Sequence, residues 1–237
     1  MAEIKLTHPA FTQSGFYPSR ERFKRVLQYL NQNLQLGGKA VLDVGCGQGY
    51  YLDLFMKQGA SAAWGVDVSP KNISAARQLF PSISFIEGDY MTAVLPGKAD
   101  LLFSESAVHY FPENLTVVLG KFFCDLEDRG EIFITHARWT LKNIFVLNFK
   151  RVLSWVENFF GGDVLLYFAC ALYGKKHSRD FLRQQMTYLK CRPRLLTKKS
   201  FGSALRAAGF QMIRMGNIPS NSFFQTDHCY IYARKRF

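Results

Sequence analysis

The sequence predicts an α/β fold, a mostly parallel sheet covered by helices on both faces, and three observations carry that prediction. Between residues 40 and 137, five short apolar runs alternate with segments of helical periodicity, the rhythm of units that build a parallel sheet. The first run closes on a turn with glycine at Gly45, Gly47 and Gly49 and leads straight into an amphipathic segment. Two more strand patterns follow a helix near the end of the chain, "FQMIRMGN" (210–217) and "HCYIYARK" (228–235).

The elements follow in order. Arg20 to Leu36 places Phe23, Val26, Leu27, Leu30 and Leu34 at helical spacing, and Gly37 with Gly38 ends this lead-in helix. The strands are "AVLDVG" (40–45), "AAWGVDV" (62–68), "ISFIEGD" (83–89), "ADLLFSES" (99–106) and "GEIFITHA" (130–137). Helical patterns over Tyr50–Gln58, Asn72–Leu79 and Asn114–Leu126 lie between them. After Ala137 the rhythm breaks for some sixty residues rich in Phe, Leu, Lys and Arg, and a helix at Lys198–Ala208 resumes it. The simplest organisation is a single domain over 1–237: a lead-in or lid segment (1–38), a core (39–137), an insertion (138–197), and a last helix with two strands (198–237).

Bulk properties narrow the class. A chain of 237 residues, 48% hydrophobic, is long enough to bury one large core and is neither disordered nor fibrous. Five cysteines without paired spacing point to a reducing, cytoplasmic compartment. The N-terminus lacks a signal-like apolar core, and the longest apolar run, Val164 to Tyr173, is too short to span a bilayer. The net charge of +12 is unevenly placed, with 12 Lys and Arg against 14 Asp and Glu in residues 1–137, and 18 against 4 in 138–237. The basic character therefore belongs to the second half.

Glycines at 45, 47 and 49 allow positive φ and remove the Cβ atoms that would hold a ligand away. The helix after them points unpaired N–H groups over the turn, which suits a nucleotide or a carboxylate, although tight packing alone can also demand glycine. The spacing is G-x-G-x-G, and Tyr50 stands where the dinucleotide fingerprint has its last glycine. Asp43, just before the turn, repels a pyrophosphate but can accept from an ammonium group. A ligand with an amine and no phosphates fits. Asp67 ends the second strand, where a carboxylate can accept ribose hydroxyls, and Asp89 follows the third strand beside Tyr90.

These motifs, "VLDVGCGQG", "GVDVSP", "FIEGDY" and "LLFSESAVHYF", resemble in order and spacing those of the class I S-adenosylmethionine-dependent methyltransferases, small-molecule type, over about 100 of 237 residues. The resemblance implies a Rossmann-like seven-stranded sheet whose last strand is antiparallel, with a helical cap insertion. It implies that Gly45, Cys46, Gly47 and Gly49 line the methionine moiety of S-adenosyl-L-methionine, with Asp43 near its amine. Asp67 would meet the ribose, with Val68 beside it in the cofactor site, Asp89 and Tyr90 the adenine, and Ser104 and Ser106 would lie beneath the sulfonium. Phe16, Tyr17 and Arg20 either close over the cofactor as a lid, Tyr17 then touching it, or anchor the lead-in helix.

Methyl transfer asks mainly for alignment and exclusion of water, with a general base if the acceptor is a hydroxyl. His109, beyond the fourth strand, is the catalytic candidate, against the alternative of a packing histidine, and His136 ranks below it. No cluster has metal-ligand spacing, so no metal is expected. In the insertion, Phe145, Phe149, Val152, Val156 and Phe159 recur at helical spacing, with Lys150 and Arg151 on the other side. Such a cap suits a hydrophobic small-molecule or lipid-like acceptor methylated at oxygen, and its basic residues suit an anionic membrane surface, with a solvated basic face as the plainer alternative. An RNA substrate, bound by Lys175, Lys176, Arg192 and Arg194, ranks lower because "SES" replaces the NPPY-like motif of many base methyltransferases. A non-catalytic interaction module of the same fold is the third reading.

Overall fold

A computed structural model describes residues 20–111, 113–137, 148, 195–218 and 228–236. Helix α1 (Arg20–Asn33) leads into β1 (Ala40–Val44), α2 (Tyr50–Lys57), β2 (Ala62–Asp67), α3 (Pro70–Leu79), β3 (Ser84–Glu87) and β4 (Ala99–Glu105). A single 3₁₀ turn (Val108–Tyr110) precedes α4 (Leu115–Cys124) and β5 (Leu126–Ala137), and α5 (Lys198–Ala207), β6 (Phe210–Ile218) and β7 (His228–Lys235) follow.

The seven strands form one sheet in the order β3-β2-β1-β4-β5-β7-β6. The pairings among β1 to β5 are parallel, and β7 runs antiparallel to both β5 and β6. This is the Rossmann-like sheet the sequence predicts. Side chains alternate between two cores. Val41, Phe85, Leu101, Phe103, Phe133 and Tyr230 pack under α1, α2 and α3, whereas Leu42, Val66, Leu102, Ile132, Ile134 and Ile231 pack against α4 and α5. Because both faces are covered, the inner strands must be apolar on successive residues, which is why they read as continuous runs.

Three boundaries differ from the periodicity, each for a local reason. Helix α3 begins two residues early because Ser69 caps it, accepting from the Asn72 N–H, and Pro70 starts the first turn. α1 stops at Asn33, three residues short of Leu36, although Leu34 and Leu36 remain buried. β5 begins at Leu126, just before the polar "EDRG" stretch, because Leu126 pairs with Ala99 and the register shifts before Leu101 pairs with Glu131. Arg129, at φ 63°, takes up that shift. Of the cap expected over 138–197, all but 148 and 195–197 lies outside the described residues, as do Phe16 and Tyr17. Among the described residues no helix is long and apolar enough to cross a membrane.

The strand order reverses between β1 and β4, so the loops after these two strands diverge to opposite faces and leave a crevice at their carboxyl ends. Since β7 is antiparallel, its first residue also lies at that end.

Candidate functional site

After Val44 the chain turns through Gly45, Gly47 and Gly49 at φ 77°, 55° and 82°, the left-handed region that glycine enters without strain. Their surroundings differ. A Cβ on Gly45 would collide with Ala107 in the loop after β4, and one on Gly49 would come within 2.5 Å of the Phe85 ring. These two glycines make room for the protein's own side chains. A Cβ on Gly47 would meet nothing within 4 Å, so only there does the missing side chain open space over the turn. The Gly45 and Cys46 N–H groups donate to the Val66 carbonyl at 2.8 and 3.1 Å, and the Gly47 N–H donates to Oδ2 of Asp67 at 2.9 Å. Cys46 turns inward against Gly65. Burial pushes its thiol well above the ordinary value, helped by Asp43 and Asp67, which suits packing and not nucleophilic chemistry.

Helix α2 begins after Gly49 with no side-chain cap, so the positive end of its dipole faces the turn. Beside it lies the opposite charge. Asp43 is 1% exposed, and its Oδ1 has no hydrogen-bond partner. Burial drives its carboxyl well above the ordinary range, and the neighbouring charges of Asp67 and Glu105 push it further. A buried acceptor left unmade costs about 1–3 kcal/mol, and a cationic N–H donor is the group that removes the cost. The positive end of a helix beside a buried carboxylate oxygen that lacks a donor complements the two ends of an α-amino acid. Three carboxylates at adjacent strand ends make the same crevice hostile to a pyrophosphate.

Asp67 ends β2 and binds backbone with both oxygens, Oδ2 as above and Oδ1 accepting from the Ser69 N–H at 2.9 Å and from Asn72 at 3.4 Å. Burial raises its carboxyl while these bonds pull it down, and the balance stays above the ordinary value. It thus joins the turn to β2 and keeps lone-pair capacity for a hydroxyl. Val68 follows it with 70% of its surface exposed, an apolar wall on which a flat ring can lie. Asp89 is exposed, its Oδ1 accepting from the Met91 N–H at 2.9 Å. Tyr90 goes elsewhere. Its ring is 2% exposed, packed edge-on to Phe111 and Phe122, and its hydroxyl donates to Asp125. Burial and that bond push its phenol far above the usual tyrosine range. The structure commits Tyr90 to the core under α4 and leaves Asp89 alone at the surface.

Ser104 is fully buried, its hydroxyl donating to the Val44 carbonyl at 2.9 Å and tying β4 to β1. Ser106 takes φ 58°, unusual for a residue with a Cβ. His109 lies in the 3₁₀ turn, 3% exposed, with its ring 4.4 Å from Tyr110 and 5.9 Å from His228. His136 points to the opposite face, stacked on Phe201 at 4.6 Å, with its Nε2 2.9 Å from the Cys229 thiol. The turn, Asp43, Asp67 and Val68 therefore meet at one crevice, Ser106 and His109 stand on its β4 side, and His136 does not join them.

Sequence reasoning passes over Glu105, Thr135 and His228. Glu105 lies between two serines that the fourth motif marks, and that motif was its only signal. Thr135 and His228 carry none, because their place depends on pairing across β4, β5 and β7. Among the described residues no group of His, Cys, Asp and Glu has metal-site geometry.

Residues 41–130 match a family model described as a methyltransferase domain. The trans-aconitate 2-methyltransferase of Afipia carboxidovorans is 30% identical over 97 residues, 40% of this chain and 38% of that protein. The ubiquinone biosynthesis O-methyltransferase of Azotobacter vinelandii is 28% identical over 113 residues, 45% of this chain and 48% of that protein. The chain thus spans less than half the length of these curated relatives. The structure of magnesium protoporphyrin IX methyltransferase from Synechocystis with bound SAH aligns at TM-score 0.59 and 19% identity, covering 90% of this chain and 81% of that one. The fold is that of the class I S-adenosylmethionine-dependent methyltransferases, and residues 41–130 form a methyltransferase domain.

Proposed function

We propose that this chain, a methyltransferase domain at residues 41–130, transfers a methyl group from S-adenosyl-L-methionine to a hydroxyl of a hydrophobic small-molecule or lipid-like acceptor, leaving S-adenosyl-L-homocysteine. The observation that carries the reading is the buried, unpartnered Oδ1 of Asp43 beside the open turn at Gly47. The residues fit the donor. Asp43 would take its ammonium and the positive end of α2 would face its carboxylate, while Asp67 takes a ribose hydroxyl, Val68 lies against the adenine and Asp89 reads the ring edge.

When bound, the donor supplies an electrophilic methyl on a sulfonium, open to in-line attack. The protein's own work is to align and to keep dry. Gly47 lets the ligand approach the backbone, and Asp67 holds the Gly47 amide in place. Ser106 borders the transfer point. His109 accepts the acceptor's hydroxyl proton on an imidazole nitrogen, and its burial keeps bulk water from competing.

Two features support the acceptor class. One curated relative is named for O-methylation in ubiquinone biosynthesis, and the segment 138–197 is rich in aromatic and aliphatic residues. The basic balance of residues 138–237, 18 Lys and Arg against 4 Asp and Glu, would hold the protein beside an anionic membrane where such an acceptor dissolves.

The test is calorimetric titration with S-adenosylmethionine and S-adenosylhomocysteine, beside Asp67→Ala. Binding by the wild type that weakens in the variant is expected, and a folded protein that binds neither ligand sinks the proposal. His109→Ala should bind S-adenosylhomocysteine normally and methylate hydroxyl acceptors slowly.

A further inference from the structure

Ser106 is one of two described residues other than glycine at positive φ, and it lies where the crevice meets β4. A residue with a Cβ stays in the left-handed region only where its surroundings hold it there. What holds Ser106 is Thr135, paired with Glu105 in the β4–β5 register and completely buried. The Ser106 N–H donates to Oγ1 of Thr135 at 3.0 Å and to the Thr135 carbonyl at 3.2 Å. The Thr135 hydroxyl also reaches Oε1 of Glu105 at 3.4 Å, which in turn accepts from the Ser106 hydroxyl at 3.0 Å. The next residue, Ala107, fills the space that the absent side chain of Gly45 leaves in the β1 turn.

We infer that Thr135 is a positioning residue for the donor turn: it holds Ser106 in the left-handed conformation and so seats Ala107 against Gly45. The inference rests on the reading of that turn as the donor site. Thr135 touches neither donor nor acceptor in it. It acts through two contacts, Thr135 to Ser106 and Ala107 to Gly45. It also stands three residues before residue 138, where the sixty-residue insertion departs from β5.

The test uses four variants of the full chain: Thr135→Val, Thr135→Ser, Ser106→Gly and Thr135→Val with Ser106→Gly. Two readouts are taken, exchange of the Ser106 amide hydrogen and calorimetric affinity for S-adenosylhomocysteine. Valine keeps the shape of threonine but removes the hydroxyl. Thr135→Val is expected to speed Ser106 exchange and to weaken binding roughly tenfold, the scale of one lost hydrogen bond that held a strained residue. Thr135→Ser retains the hydroxyl and should behave as wild type. Glycine adopts φ 58° without help, so Thr135→Val with Ser106→Gly should bind within about threefold of Ser106→Gly alone, the loss caused by Thr135→Val being rescued in that background.

Rescue separates positioning from packing, since a packing defect at residue 135 is not repaired by a change at 106. Failure of rescue overturns the inference, as does wild-type affinity in a folded Thr135→Val protein. If Thr135→Val does not fold, weaker binding or faster Ser106 exchange in Thr135→Ser overturns it equally. A wild-type protein that binds no S-adenosylhomocysteine refutes the site reading and the donor part of the inference with it. In that case unchanged Ser106 exchange in Thr135→Val would refute the Thr135–Ser106 contact separately.

Discussion

Asp43→Asn should make the protein more stable and the ligand bind more weakly, and that opposition of signs is what a binding carboxylate predicts. In the ligand-free protein the side chain is 1% exposed, its Oδ1 lacks a donor, and Asp67 and Glu105 add like charge. Removing the charge relieves part of an unmet buried acceptor, so a gain of ~1 kcal/mol near neutral pH is expected. A charge-assisted hydrogen bond to an ammonium is worth about 1.5–3 kcal/mol, so affinity for S-adenosylhomocysteine should fall roughly 10- to 150-fold. The pH dependence follows from the same shift. Burial raises the folded-state value of Asp43 above its ordinary 3.8, so between those two values the folded protein holds a proton that the unfolded chain has released. Stability must then fall as pH rises through that window, and Asn at this position abolishes the slope. An ammonium ligand selects the ionised carboxylate, so binding in the window expels a proton. Calorimetry in buffers of different ionisation enthalpy measures the proton, and urea unfolding measures the stability. A variant that binds as tightly as wild type and is no more stable refutes the assignment.

Four other substitutions test separate parts of the site and the fold. Gly49→Ala should lower stability by about 2 kcal/mol or more, from strain at φ 82° and collision with Phe85, whereas Gly47→Ala should cost the fold about 1 kcal/mol of backbone strain and act mainly on ligand affinity. Denaturation curves and calorimetry on both proteins distinguish them, and equal stability losses would contradict the division of labour among the glycines. Asp67→Asn should weaken S-adenosylhomocysteine binding by about 1–3 kcal/mol, read by calorimetry, and unchanged affinity in a folded variant would show that β2 does not end at the ribose. Glu131, at the opposite end of the sheet, accepts from Lys39, Tyr232 and Arg234 at 2.6 Å each. Burial pushes this carboxyl up, but those bonds and the Lys39 charge outweigh it and hold it below 4.5. Its contribution is therefore complete above 4.5 and is lost as pH falls through the folded value, so Glu131→Gln should cost ~1–2 kcal/mol near neutrality and progressively less in acid. A pH-independent difference in melting would contradict it.

The elements legible in the sequence are those whose partners impose a period. β1, β2, β4 and the core of β5 are covered on both faces, so burial writes itself as an unbroken apolar run, and α1 declares its buried stripe through Phe23, Val26, Leu27 and Leu30. β5 hides its start because Leu126 is followed by the polar bulge around Arg129, and only the pairing of Leu126 with Ala99 makes it a strand. Tyr90 is misleading for a related reason. In sequence it adjoins Asp89 at the third motif, but it lies in the turn past the end of β3 with its ring buried, and its hydroxyl partner Asp125 is 35 residues further on.

The glycine turn shows most clearly why the type of a residue can be legible while its reason is not. Three glycines at alternate positions announce a close approach of some kind, but the sequence cannot say which approach is made by ligand and which by protein. Ala107 and Phe85 arrive from loops and strands that only the β1–β4 and β2–β3 pairings bring near. Once they are placed, Gly45 and Gly49 are accounted for by packing, and Gly47 remains as the one opening. The site is consequently narrower than the motif that announces it. Its affinity should be most sensitive at Gly47, Asp43 and Asp67, and sensitive at Gly45 only through the Ala107 and Ser106 that Thr135 holds against it.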